Sequence, residues 1–359
     1  MEGKTVVKLF EWNPIYIGRL SNQCVPKFYS HQLTKITLIL FIPMGILGLF
    51  STDWPIAYQL FPIYWSLFIL GMPHGGADHL LIWGMFRPKG IIFRLTILSL
   101  YPILSLVYLA WWHFQPLLAA IFFLLLTIFH WGQGDQYISI KIHRAFHLKR
   151  SRFLKLLHIL SRGCLPILLP GYLGNETYQN FLESIIGQVS SVEYDLFLIQ
   201  RFSHFFLLIP LVVMTIELTL SGLKVKEEEK KAFKLDCLES SFLFLWFLII
   251  PPLWALGIYF SFWHSLRHSL RILWTDRYGK QYLMDRSYFK LQGRWLQVSS
   301  LMTILALLAL WGWLSLTLSF QNIELEWLGK VMLGIAILTL PHTVVVSLMD
   351  YFQLKPKKT

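Results

Sequence analysis

Charge is scarce in this sequence. Only 14% of its 359 residues are Asp, Glu, Lys or Arg, against about 25% in an ordinary soluble domain. Hydrophobic residues make up 55% and the mean hydropathy is +0.53, which places the chain among integral membrane proteins. Cysteine is scarcer still. Cys24, Cys164 and Cys237 are scattered and form no CxxC pair, so neither a disulfide framework nor a thiolate metal site is supported. A glycine-rich phosphate loop, a dinucleotide fingerprint and a Ser–His–Asp order are all missing, which removes nucleotide binding and serine hydrolysis as first readings. Internal repeats and low-complexity stretches are absent too. In residues 1–35 no apolar stretch precedes a small-residue cleavage site, so membrane insertion is expected to use the first spanning helix.

Long apolar runs are plentiful. They cover about 36–52, 57–71, 91–112, 115–131, 153–170, 203–220, 238–262, 296–320 and 328–349. Most reach the roughly 17–25 residues a spanning helix needs. Helices are the economical answer in lipid, because they satisfy every backbone polar group internally. The expected fold is an all-α, polytopic membrane bundle of seven to nine transmembrane helices. Residues 1–35 read as a cytoplasmic lead-in, 36–350 as one membrane-embedded catalytic domain and 351–359 as a basic cytoplasmic tail. The net charge of +12 falls between the runs, so it reads as positive-inside loops facing anionic lipid rather than as a nucleic-acid surface. By the same rule Arg87, Lys89 and Arg94 face in. So do Lys141–Arg152, Arg267–Arg294 and the tail, while 171–200 faces out. Nine passes then conflict with both termini facing in. Either 203–220 does not span, or the 238–274 stretch bends at Pro251-Pro252.

Histidine stands at or inside these runs in four places. The stretch Gly71-Met72-Pro73-His74-Gly75-Gly76-Ala77-Asp78-His79 sits where an apolar run meets a polar boundary. Ionisable groups at such depth are costly and tend to be functional, though a helix-breaking turn with incidental polar residues would read the same. His130-Trp131-Gly132, with Asp135 nearby, ends a second run. His264 and His268 end a third, four residues apart and therefore on one helix face. Two imidazoles so spaced can share a metal, although two interfacial histidines beside a basic loop would look alike. Pro341-His342 lies in the last run. The loop assignments put His74, His130 and the His264/His268 pair at similar depth, so they can converge. Four neutral imidazoles suit Fe, Cu, Zn or Ni. Asp78, Asp135, His79 and His342 are candidates for supporting the ligands, with capping or packing as the plainer reading. The remaining histidines, His143, His147 and His158 among them, read as interfacial or loop residues.

These motifs resemble, in order and approximate spacing, those of the Brp/Blh family of β-carotene 15,15′-dioxygenases. The PHGxxD-type stretch at His74, His130-Trp131-Gly132, Arg162-Gly163 and the His264…His268 pair carry the likeness, which covers about residues 55–350. The resemblance implies a membrane enzyme with non-haem Fe(II) held by His74, His130, His264 and His268. It implies cleavage of β-carotene by O2 at the central 15,15′ double bond into two all-trans-retinal, which a microbial rhodopsin consumes. A cell (inner) membrane location follows. The paired Gly75-Gly76 departs from the family pattern and is expected to alter helix packing. A lipid-phase hydrocarbon substrate calls for an apolar, aromatic tunnel; Phe129, Trp131, Phe260 and Trp263 are the candidates for its wall.

Three rival classes remain, one of them a haem protein with axial histidine pairs, which an intense Soret band would reveal. A desaturase- or hydroxylase-like metallo-oxidoreductase needs dense clusters such as HxxHH, which the chain lacks. A non-enzymatic membrane transporter is expected to show paired broken helices in two related halves, and no such symmetry is visible.

Overall fold

The architecture comes from a computed structural model, which describes residues 27–86, 90–173, 175–187, 201, 203–317 and 323–354. Most of the lead-in, the Arg87–Lys89 loop, much of the outward segment 188–200 and the tail from 355 lie outside the described residues. The described chain is helical throughout. Helices α1 (Lys27–Gly48) and α2 (Ile56–Ser66) come first, then a π-turn Leu67–Gly71, α3 (Met72–Gly76) and α4 (Asp78–Phe86). Next are α5 (Ile91–Phe114) and α6 (Pro116–Tyr137), the latter running on as a π-turn over Ile138–Ile142. A 3₁₀ turn, Phe146–Arg150, leads into α7 (Arg152–Leu173) and α8 (Asn175–Ile186). Helices α9 (Ser203–Gly222) and α10 (Lys230–Ile249) precede α11 (Pro252–Ile258), a π-helix Tyr259–Ser265 and α12 (Leu266–Thr275). The chain closes with α13 (Arg277–Met284), α14 (Tyr288–Thr317) and α15 (Ile323–Leu354).

Among the described residues five helices are long and apolar enough to cross a membrane: Pro116–Ile142, Arg152–Leu173, Ser203–Gly222, Tyr288–Trp313 and Gly329–Leu354. Two shorter apolar helices, Gln32–Gly48 and Leu98–Phe114, accompany them. A membrane helical bundle therefore stands, while length and composition do not establish seven to nine spans. The stretch 238–274 does break where the two prolines fall. Helix α10 stops at Ile249, Ile250 is extended, and α11 restarts with Pro252 in its first turn. Proline lacks the N–H and disfavours helix in the residue before it, so a Pro-Pro pair both ends one helix and starts the next.

Two glycines set the tightest crossing. A Cβ on Gly132 of α6 would lie 1.9 Å from the Ile159 carbonyl oxygen of α7. A Cβ on Gly163 of α7 would lie 1.9 Å from the Ile128 carbonyl oxygen of α6. Each backbone thus rests in the other's missing side chain, the small-residue contact by which membrane helices approach closely. Gly76 does the same for α3 against α14, where a Cβ would come within 2.6 Å of the Ser299 carbonyl. Outward faces remain apolar, as at Leu106 of α5 and Leu301, Leu308 and Trp311 of α14, all exposed. Lipid is the natural neighbour for such surfaces.

Candidate metal centre

Three interruptions of regular α-helix adjoin the histidines. The π-turn Leu67–Gly71 delivers His74 into α3, and the π-helix Tyr259–Ser265 carries His264. A third π-turn follows the helix of His130. A π-turn shifts the helical register and is common at functional sites. The α6–α7 crossing meanwhile holds the His130 segment against the bundle. His342 comes from the middle of α15, next to Pro341.

The structure brings five imidazoles together, each at most 6% exposed. Ring centroids lie 5.6 Å apart for His74 and His264, 4.9 Å for His130 and His264, and 5.5 Å for His74 and His268. His264 and His268 are parallel within 3°, 6.5 Å apart, as i and i+4 on one face. His342 reaches 4.7 Å from His74, 4.8 Å from His130 and 5.6 Å from His268. Nitrogens of His74, His130 and His264 form the tightest set, all within 4.8 Å of one another.

Hydrogen bonds decide which nitrogens remain free. His74 Nδ1 donates to the Leu70 carbonyl at 3.2 Å, leaving Nε2 as an acceptor. His342 Nδ1 donates to Asp78 Oδ2 at 2.7 Å, and the Tyr101 hydroxyl donates to the same oxygen at 3.3 Å. Nε2 of His264, His268 and His342 and both nitrogens of His130 are buried with no hydrogen-bond partner. Orphaned buried polar atoms are expensive and uncommon. A shared metal would satisfy one nitrogen of each ring, so the donor set fits an ion bound by imidazoles. Asp78, His342 and Tyr101 form the kind of carboxylate–histidine arrangement that orients a ligand ring.

The other expected site residues are placed differently. Asp135 accepts both bonds from Trp263 Nε1, at 3.1 Å each, and lies 3.7 Å from Arg267. It faces that pair, beside a small pocket that His264 and His268 also line. His79 donates to the Gly76 carbonyl at 3.0 Å and meets Trp83 edge-on. Trp131 and Phe260 wall a cavity of about 790 Å³ that opens onto His74, His130, His264 and His342. Phe129 points to the outer surface, 37% exposed, and Trp263 is buried under the Arg267 guanidinium, so neither lines that cavity. The remaining wall is largely apolar, with Tyr101, Thr127 and Thr303 among its few polar members. Sequence reading missed Tyr101, and it gave His342 only a supporting place. Its one visible signal was a histidine beside proline inside an apolar run.

The loop reading of Arg267, Arg271 and Arg294 is corrected here. All three are at most 4% exposed and paired, with Glu239 at 3.0 Å, with Asp350, and with Asp276 at 2.8 Å. His147 and His158 are likewise fully buried, not interfacial. Burial lowers the pKa of the His147 imidazole, at the turn before α7, below its ordinary value, so it stays neutral. A charge cannot remain alone in such surroundings, so each buried guanidinium brings its carboxylate.

A sequence profile of the family named beta-carotene 15,15′-dioxygenase matches residues 65–350. The probable β-carotene 15,15′-dioxygenase Blh of Halobacterium salinarum is 30% identical over 299 residues, 81% of this chain and 84% of that protein. A β-carotene 15,15′-dioxygenase from the uncultured marine bacterium 66A03 is 27% identical over 308 residues, 84% of this chain and 95% of its own length. No solved structure matches the chain. The profile match takes in every histidine of the cluster and most of the helices that carry them, and on that extent the chain belongs to the β-carotene 15,15′-dioxygenase family.

Proposed function

We propose that this protein cleaves β-carotene with O2 at the 15,15′ double bond into two all-trans-retinal. The observation that carries the reading is the meeting of an imidazole cluster with a large apolar cavity. His74, His130, His264 and His268 would hold a non-haem Fe(II), with His342 the fifth imidazole in reach. When bound, iron(II) supplies the redox centre at which O2 becomes reactive toward a carbon–carbon double bond. The reaction balances without any acid or base: one C=C is broken and each product takes one oxygen atom.

The chain's own residues do the positioning. Trp131 and Phe260 stack beside the His264 ring and present apolar faces to a polyene. A cavity of about 790 Å³ falls in the usual range of roughly 300–1,000 Å³ for small-molecule sites. Its few polar groups leave a hydrocarbon with little to desolvate. Asp78, tied to His342 and Tyr101, holds that ring in one orientation. Leu95 and Leu106 of α5 and Leu305 of α14 line the cavity, yet are 58%, 64% and 52% exposed on the outer face. Substrate would therefore enter sideways from lipid between α5 and α14. We place the metal site toward the cytoplasmic side of the cell (inner) membrane, and a microbial rhodopsin as the consumer of the retinal.

Expression in bacteria that accumulate β-carotene tests the activity. Loss of carotene with retinal as the product supports it. Longer apocarotenals would move the cut. Unchanged β-carotene with the protein in the membrane and iron bound would overturn it.

A further inference from the structure

We propose that His158, Glu217 and Asp236 hold a second divalent metal ion, of the Zn²⁺ class and structural in role. The inference is independent of the reaction assigned to the histidine centre. The three residues come from three helices, α7, α9 and α10, and each is 0% exposed. Their potential donor atoms all lie within 4.8 Å of one another.

The distances fit a metal better than direct contact. His158 Nδ1 lies 3.5 Å from Glu217 Oε1 and 3.7 Å from Asp236 Oδ2. Both are too long for an N–H···O hydrogen bond, which spans about 2.7–3.2 Å. They are close to the edges of a tetrahedron around zinc. Bond lengths of about 2.0–2.2 Å to N and O imply donor–donor separations of about 3.3–3.6 Å. Neither ring nitrogen of His158 has a hydrogen-bond partner, nor has Glu217 Oε2 or Asp236 Oδ2. Glu217 Oε1 and Asp236 Oδ1 are already held. Ser221 donates to Glu217 Oε1 at 2.7 Å. Arg162 and Ser139 donate to Asp236 Oδ1 at 2.6 and 3.1 Å. Asp236 thus turns its open oxygen toward His158, while Glu217 faces the ring with the oxygen that Ser221 also holds, a hydrogen bond of the kind that braces metal ligands.

Charge points the same way. The connected buried group contains four carboxylates (Asp135, Glu217, Asp236 and Glu239) and two guanidiniums (Arg162 and Arg267). With neutral imidazoles, two negative charges are left uncompensated. Buried charge is costly unless paired or bound to metal, and one dication balances the group. A single protonated imidazole, His158 or the His143 that lies 3.9 Å from Glu239, would leave one negative charge, and both would have to be charged to do what one dication does. His147, fully buried with both nitrogens unpartnered, or a water would supply the fourth ligand. An ion here would pin α7, α9 and α10 together. Through Arg162, Glu239 and Arg267 it would brace α12, where Arg267 stands between His264 and His268.

The test counts metal on the full chain purified in detergent, loaded with excess Zn²⁺, desalted and measured by mass spectrometry. His264→Ala is expected to retain one tightly bound zinc per chain. Adding Glu217→Gln should remove it. If Glu217→Gln leaves the zinc content of either background unchanged, the site is overturned and His158 is an imidazolium bridge. Zinc-edge X-ray absorption on His264→Ala decides independently of the Gln variant's folding. A shell of one or two imidazoles with oxygens supports the site, and an all-nitrogen shell or no retained zinc overturns it. Failure of the histidine-centre reading looks different: His264→Ala would then match the parent in zinc content.

Discussion

Two of the buried polar clusters among the described residues are built on opposite principles. The histidine centre holds five imidazoles and faces a large cavity. Among the described residues the carboxylate in contact with it, Asp78, is spent on His342 and Tyr101. The cluster around His158 holds carboxylates and guanidiniums and is sealed by helices. Uncharged donors beside a cavity let a bound ion keep its positive charge and leave positions open to O2 and substrate. Charged donors buried between helices neutralise whatever they bind. The first arrangement suits chemistry and the second suits fastening, even though both are histidine-containing, buried and metal-ready.

That contrast can be broken by substitution. His264→Ala is expected to abolish retinal formation and remove the iron while leaving the protein in the membrane. Product analysis and iron content on purified protein check it, and normal turnover would dissolve the distinction. Arg162→Met should act on stability instead. It leaves Asp236 without a guanidinium and Glu239 with Arg267 alone, which costs about 3–5 kcal/mol and shows as lower thermal stability in detergent. If this variant lost iron without losing stability, the two clusters would be one functional unit.

Smaller effects sharpen the comparison. Gly163→Ala forces a methyl toward the Ile128 carbonyl and should destabilise by about 1–3 kcal/mol, read by the same melting experiment. Asp78→Asn should weaken iron binding by about 10–100-fold, or about 1.4–2.7 kcal/mol, measured by iron titration. An unchanged titration would return Asp78 to a structural role. Leu305→Trp should lower turnover a few-fold at low β-carotene and little at saturation, if substrate enters between α5 and α14. An unchanged dependence on substrate concentration would place the entrance elsewhere.

The sequence was informative where chemistry is local. Histidines four apart on a helix share a face by geometry alone, and the structure keeps the His264 and His268 rings parallel. Pro251-Pro252 had to interrupt a helix, and it does. Apolar runs announced a membrane bundle because lipid leaves the backbone few alternatives. By contrast, His342 and Asp78 are 264 residues apart, and no spacing rule reaches that far. Arg267 and Arg271 looked like loop charges because a linear reading sees the net charge of a segment. Their partners Glu239 and Asp350 lie on other helices. Phe129 and Trp263 looked like tunnel wall because aromatic character says nothing of direction.

By itself, then, the sequence determined the membrane setting, the helices and the histidines fit for a metal, since hydropathy, proline chemistry and helical periodicity act within a few residues. Which imidazoles meet, which carboxylate serves His342 and which buried acids gather around His158 were decided only in the tertiary structure. The physical reason is that pairing a buried charge or orphaned nitrogen depends on distance in space. Here that distance is set by how closely the helices cross, as glycine lets α6 and α7 do at Gly132 and Gly163.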